Sequence, residues 1–516
     1  MTSPQPLVFA PSQKWDGNDG HWSTFILRVG TPEQNFRVLP ASKTGEVIVP
    51  HVQGCSDGNA YPENCGSLRG VFDFKGHYSP GFQANQSSTW SEIGIYGLEL
   101  ETRLGYQANA SYGLENVGLM LQHSGGPTLT KQVVGSIGKK AFYVGLFGLS
   151  PKPANFSDFD YPQPSYISTL KAERIIPSIS YGYTAGAYYQ SPKVFGSLTL
   201  GGYDESRFVS NHITFPFDSD DSQPTSLKVQ RISVSNALNG SASLLEDSIY
   251  VNLDFTVPHL WLPYDTCDRF ASVFNLRYDN STDLYLIDEE THDALLERNP
   301  TITIGLGASA NPTERVNIDL PYAAFDLEAS HPIYQNSTRY FPIRRANDSQ
   351  YTLGRVFMQE AYVIVDYERG NFSVHQALFP SSNEQRIVTI PTKDTKPIDR
   401  DRLDAGQIVA IAMSVAVLLG ICIALAIFSK RRKNAVKLEG QETAAEGSES
   451  KVLSNSQLSE LSECEKLHGE VMSRDIFEMH GDSGCEVGGD SKAELECVPC
   501  ELPGESLIGQ SLPHKI

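Results

Sequence analysis

Short runs in which apolar and polar residues alternate, each bounded by Gly, Pro, Asn or Asp, recur through the first 380 residues; "STFILRVG", "GSLTLGG" and "EAYVIVDYE" are three of them. A period of two predicts half-buried strands, and the dense turn residues between runs predict a chain dominated by β-structure. Apolar spacing of three and four residues occurs in "PSYISTLKAERI" and "YDTCDRFASVF", which predicts a helix at each. A different pattern opens at Ile408 and closes at Phe428, 21 residues without a charge, followed by the basic run Lys430 to Lys433. An apolar helix of that length crosses a bilayer, and the basic flank predicts a cytosolic C-terminus.

The pattern also repeats. "VLPASKTGEVIVP" (38–50) and "VNLDFTVPHLWLP" (251–263) share length, an apolar opening, an apolar triplet and a closing Pro, so each reads as strand, turn, strand. The fourth position is Ala41 in one copy and Asp254 in the other. The expected organisation is a lead (1–19), two β-rich lobes (20–207 and 208–380), a stalk (381–404), a membrane helix (405–429) and a disordered tail rich in Ser, Glu and Gly (430–516). The opening "MTSPQPLVFAPSQKWDG" lacks the pattern of a secretory leader, so either the natural start is expected upstream or the leader escapes recognition.

Net charge is −20, and residues 434–516 carry 17 acids against 6 bases. This excludes a basic nucleic-acid footprint and is compatible with work at low pH, where protonation reduces self-repulsion. All eight N-x-S/T sites precede the apolar segment: Asn85, Asn109, Asn155, Asn239, Asn280, Asn336, Asn347 and Asn371. Their one-sided placement predicts a glycosylated luminal or extracellular domain. Cys55 and Cys65 flank a short turn-rich loop and are expected to form a disulfide there, whereas Cys267 has no obvious partner. No His/Cys/Asp group has metal-ligand spacing, "CVPC" in the tail stands alone, and neither metal nor cofactor is expected.

Over roughly residues 20–380 the chain resembles the pepsin-like aspartic proteases, family A1. "FILRVGTPEQNFRV" resembles that family's opening strand and G-T-P-x-Q turn, and "FQANQSSTW" its F-x-P-x-x-S-S-T-Y element. "YVGLFGLSP", "GSLTLGGYD" and "YTLGRVFMQEAYVIVDYERGNFSV" are similar to three further elements, in the family's order. The resemblance implies an all-β, bilobal acid-protease fold with few short helices. It also implies peptide hydrolysis by two aspartates, one per lobe, which share a proton and hold a water.

The resemblance fails where the chemistry should be. The first D-T-G motif reads Ala41-Ser42-Lys43, and a methyl group neither ionises nor binds water. The second keeps Asp254, with Phe255 and Thr256 at the small residue and the Gly, and a bulky Phe there is expected to disturb packing between the lobes. "DTC" at 265–267 lies past the second strand and is a decoy. A Ser42/Lys43 nucleophile pair is disfavoured because neighbours on a strand face opposite ways; Lys43 is expected in solvent. "LGYQANASYG" is similar to the hairpin flap over the family's cleft, which places Tyr106 at the flap tyrosine and a sequon, Asn109, at its tip. The leading expectation is a type I membrane glycoprotein whose inactive ectodomain binds a peptide or protein in the interlobe cleft. The competing one is a membrane-tethered acid endopeptidase built around Asp254 with a non-standard partner. The Ser-rich acidic tail is a candidate for phosphorylation and for cytosolic adaptors.

Overall fold

The computed structural model of the protein describes residues 3–393 apart from 57–61, 99, 157–160, 308–313 and 381–383, together with Gly420, Ile423, Leu425 and Ile427. Those last four, all helical, are what is described of the apolar segment 408–428; the tail lies outside the described residues. Among the described residues no helix is long and apolar enough to cross a membrane.

Two eight-stranded sheets carry the two repeats. In the first, strand Gln34–Ala41 and strand Val47–Pro50 do not pair with each other, because Gly145–Gly148 runs between them, parallel to Gln34–Ala41 with Ala41 opposite Gly148. In the second, Thr352–Leu353 lies in the same way between Ile249–Leu253 and Leu260–Pro263, with Leu253 opposite Leu353. Each strand–turn–strand copy is therefore an open fork with a third strand inserted, and the turn of each fork projects from the sheet. The inserted strands come from "YVGLFGLSP" and "YTLGRVF".

A third large sheet joins the halves. Its order is Leu7–Phe9, Val194–Leu200, Ser180–Ala187, Ala361–Asp366, Asn371–Ala377 and Phe208–Val209. The N-terminal lead is thus part of the fold, since Leu7–Phe9 completes one edge of this sheet and Pro11–Asp16 pairs in the first. Within the expected stalk, Ile387–Thr389 pairs with Gly202–Asp204, and Lys393 N still donates to Glu368 Oε2 (2.9 Å), so chain attachment runs past residue 380.

Strand Trp22–Val29 is buried along its whole length although its sequence alternates. It pairs with strands on either side and also with Asn109–Leu119. Two of its polar side chains find partners inside: Thr24 Oγ1 donates to Asp16 Oδ2 (2.7 Å), and Arg28 Nη atoms to Glu33 (2.7 Å) and to the Gly126 carbonyl (3.2 Å). Helices form at both expected places, Tyr166–Ala172 and Tyr264–Phe274; the latter buries Thr266, Cys267, Phe270 and Phe274, one face at helical spacing. Helix Glu289–Arg298, missed by the periodicity, is started by the Asp288 carboxylate accepting from Thr291 N at 2.8 Å. Cys55 and Cys65 are bonded, and Cys267 is a free, buried thiol.

Candidate functional site

The two fork turns meet at the junction of the halves. Ala41 ends its strand fully buried, and Asp254 follows its strand with no exposed surface. Asp254 Oδ1 accepts from Ser42 Oγ at 2.6 Å and from Thr256 N at 3.0 Å, while Lys43 N donates to Thr256 Oγ1 at 3.3 Å. The turns are therefore stitched together, and the Ser42 hydroxyl is committed to the carboxylate. Its neighbour Lys43 turns the other way, and Nζ donates to the Ser222 carbonyl at 2.9 Å. Lys43 is half-buried rather than in solvent, and burial holds its ammonium below the ordinary lysine range against the pull of Asp254 and Glu101.

Phe255 does not disturb the halves; it joins them. Its ring is buried against Tyr183 (4.6 Å between centroids) and Tyr181 (6.2 Å) of the shared sheet. Buried Arg355 supports the turn from behind, donating to the carbonyls of Phe255 (3.2 Å) and Thr256 (2.8 Å). "DTC" lies in the first turn of helix Tyr264–Phe274, away from the junction, and burial pushes the Cys267 thiol up to about 12.

The flap is the hairpin of strands Ser91–Gly97 and Asn109–Leu119. Asn109 opens its second strand opposite Gly97, so the sequon stands at the root of the tip and not on it. In the tip, Tyr106 stacks on Phe142 at 5.2 Å, and burial pushes its phenol up to about 12. These two rings, with Leu39, Leu104 and Leu146, line a cavity of about 320 Å³ between the halves. Its polar wall includes Asp19, Arg344 and Arg355.

Three residues that sequence reasoning passed over complete the site. Glu101 sits in the left-handed region at φ 52° and is buried, with its carboxyl close enough to feel the Asp254 charge. Burial and then the Asp254 charge push it up to about 8, against the opposing pull of Arg103 and Lys43. Arg103, 3.2 Å from the Glu101 carboxylate, donates across the cleft to the Ser349 carbonyl and to Thr352 Oγ1, each at 3.0 Å. Gln350 Nε2 returns a bond to the Arg103 carbonyl at 2.6 Å, and Leu104 packs with Val257, Trp261 and Ala346. The one sequence signal was a pair of opposite charges, two residues apart, the second of them three residues before Tyr106. Among the described residues no group of His, Cys, Asp and Glu could hold a metal ion.

Comparison with known proteins agrees with this architecture. A family model described as eukaryotic aspartyl protease matches residues 24–377. The chain is 24% identical to candidapepsin-1 of Candida albicans over 370 residues, 70% of this chain and 83% of that protein. It is 26% identical to barrierpepsin of Saccharomyces cerevisiae over 238 residues, 44% of this chain and 37% of that one. Candidapepsin of Candida tropicalis is 24% identical over 216 residues, 42% of this chain and 48% of its own length. With a matched region that covers both forks, the flap and all but the N-terminal edge strand of the shared sheet, the chain belongs to the eukaryotic aspartyl protease family.

Proposed function

We propose that this chain is a single-pass membrane glycoprotein of the secretory path whose aspartyl-protease fold binds a peptide or protein in the cleft and does not hydrolyse it by the paired-aspartate route. The observation that carries this reading is Ala41. The position that should present a carboxylate to Asp254 presents a buried methyl, and Ser42 fills the hydrogen-bonding site on Asp254 Oδ1 instead. A single buried carboxylate tied in this way lacks the acid that a leaving amine requires. The sequon asparagines support the glycoprotein part: seven are exposed and Asn371 is half-buried. Membrane anchoring rests on the uncharged segment 408–428 and its basic flank. The secretory path is also supported by a 23% identical relative over 370 residues, named Secreted aspartic protease 1, of Candida albicans.

Glu101 favours a second reading, an acid endopeptidase in which Glu101 serves as the partner of Asp254. Against it stands the position of Glu101 on the tip of the flap, where a substrate backbone must pass. One experiment separates the two: digestion of a peptide-library mixture from pH 3 to 7 by the detergent-solubilised protein, beside Asp254→Asn and Glu101→Gln. No turnover in any sample is expected. Turnover that both substitutions abolish would establish the enzyme and remove the binding reading.

A further inference from the structure

We infer that the flap of this protein carries its own lock, in which the Glu101 carboxyl shares a proton with Asp254 while Arg103 ties the tip to the second half, so that losing the proton frees the cleft. The inference rests on the reading of the cleft as a ligand site and concerns access to it.

The geometry starts from two buried oxygens. Asp254 Oδ2 lacks a hydrogen-bond donor among the described residues, although Ser42 and Thr256 both serve Asp254 Oδ1, and Glu101 Oε2 has Arg103 Nη2 beside it at 3.2 Å but no aligned hydrogen bond. Two ionised carboxylates facing each other out of water repel, and a single proton between them gives the orphan Asp254 oxygen a donor. Ala41 makes room for this arrangement, since a carboxylate there would compete for Asp254. The tip is shaped to deliver Glu101: its left-handed backbone closes a turn in which Leu104 N (3.0 Å) and Tyr106 N (3.2 Å) both donate to the Glu101 carbonyl. The three cross-cleft bonds of Arg103 and Gln350, with Leu104 seated on Val257 and Trp261, hold the tip down.

The charged groups around Glu101 are Asp254 and Lys43 from the two fork turns and Arg103 from its own turn, with Lys152 and Asp220 beyond Lys43. In the closed flap Glu101 keeps its proton up to about pH 8, whereas released into water it titrates near the ordinary 4.5. Opening therefore releases a proton in that window, and the opening equilibrium rises about tenfold per pH unit across it. Lys43 has the opposite sign: its ammonium is weakened in the closed form, so loss of that proton at higher pH favours closure.

The test is hydrogen exchange of the amides of residues 101–108 in the full-length protein between pH 5 and 8, corrected for intrinsic exchange rates. Wild type is expected to lose protection steeply with pH. Glu101→Gln, which donates to Asp254 but does not ionise, should stay protected with a flat profile. Arg103→Ala and Gln350→Ala should raise exchange at every pH and keep the slope, with strand Ser180–Ala187 as the check on folding. Equal wild-type protection at pH 5 and 8, or a wild-type slope in Glu101→Gln, overturns the lock. Binding of a synthetic peptide pool by the same samples reports separately on the ligand reading. No binding with the slope intact removes that reading and leaves the lock, and binding with a flat slope removes the lock alone.

Discussion

Asp254 and Ala41 occupy equivalent places in two copies of one motif, yet only the acid brings a desolvation cost, and the surrounding side chains meet it. Ser42 supplies a short bond from the opposite turn, and Thr256 supplies a backbone amide. Ser42→Ala should therefore destabilise by about 1–3 kcal/mol, because it leaves a buried charged acceptor short of a donor. Urea unfolding of the full-length protein measures this, and an unchanged midpoint would mean that the bond has no net worth. Ala41, Asp254 and Tyr106 could be singled out in the sequence because each sits at a fixed offset in a motif. Glu101 and Arg103 were not, because only the fold brings the flap tip against Asp254 and Thr352; nothing local marks a carboxylate for a partner so far along the chain.

At the scale of elements, alternation and repetition identified the strands, and capping chemistry identified what periodicity missed. Helix Glu289–Arg298 buries only Thr291, His292 and Leu295, too narrow an apolar face to stand out, but Asp288 and the two glutamates after it form an acidic N-terminus. Asp288→Ala is expected to cost about 1 kcal/mol, read from the shift in unfolding midpoint. The segments "YVGLFGLSP" and "YTLGRVF" stood out in the sequence, but their insertion between the arms of the two forks did not, for a different reason. A parallel neighbour needs no turn signal beside the strands it separates, so the sequence suggested simple strand–turn–strand pairs where the sheet order is a crossover. The same crossover projects both turns free of the sheets, and so allows Ser42 and Asp254 to meet. The alternation of Trp22–Val29 likewise suggested one wet face. Ser23, Thr24 and Arg28 are instead buried, because the sheet is covered on both sides and partners for Thr24 and Arg28 were built in.

For the whole molecule, buried titratable groups set how stability follows pH. Glu360 is 5% exposed in the turn that leads into strand Ala361–Asp366 of the shared sheet; it accepts hydrogen bonds from Tyr189 and from Gln376 Nε2 (3.0 Å), and burial pushes it up to about 7. Its folded form holds a proton that its unfolded form releases near 4.5. The resulting stabilisation is complete below pH 4.5, is lost as pH rises to 7, and amounts at most to about 3 kcal/mol. His375 acts in the opposite sense. Burial lowers it to about 4, so its stabilisation is complete above 6.5 and is lost as pH falls towards 4. Glu360 immediately precedes strand Ala361–Asp366 and His375 lies on the strand paired with it; the two groups oppose each other between pH 4.5 and 6.5, which flattens the profile there. Unfolding free energies measured from pH 4 to 8 for wild type and Glu360→Gln should differ most in their slope between 4.5 and 7 and run parallel above 7. Parallel profiles throughout would show that Glu360 is already ionised in the folded protein and that its contacts with Tyr189 and Gln376 outweigh the cost of its burial.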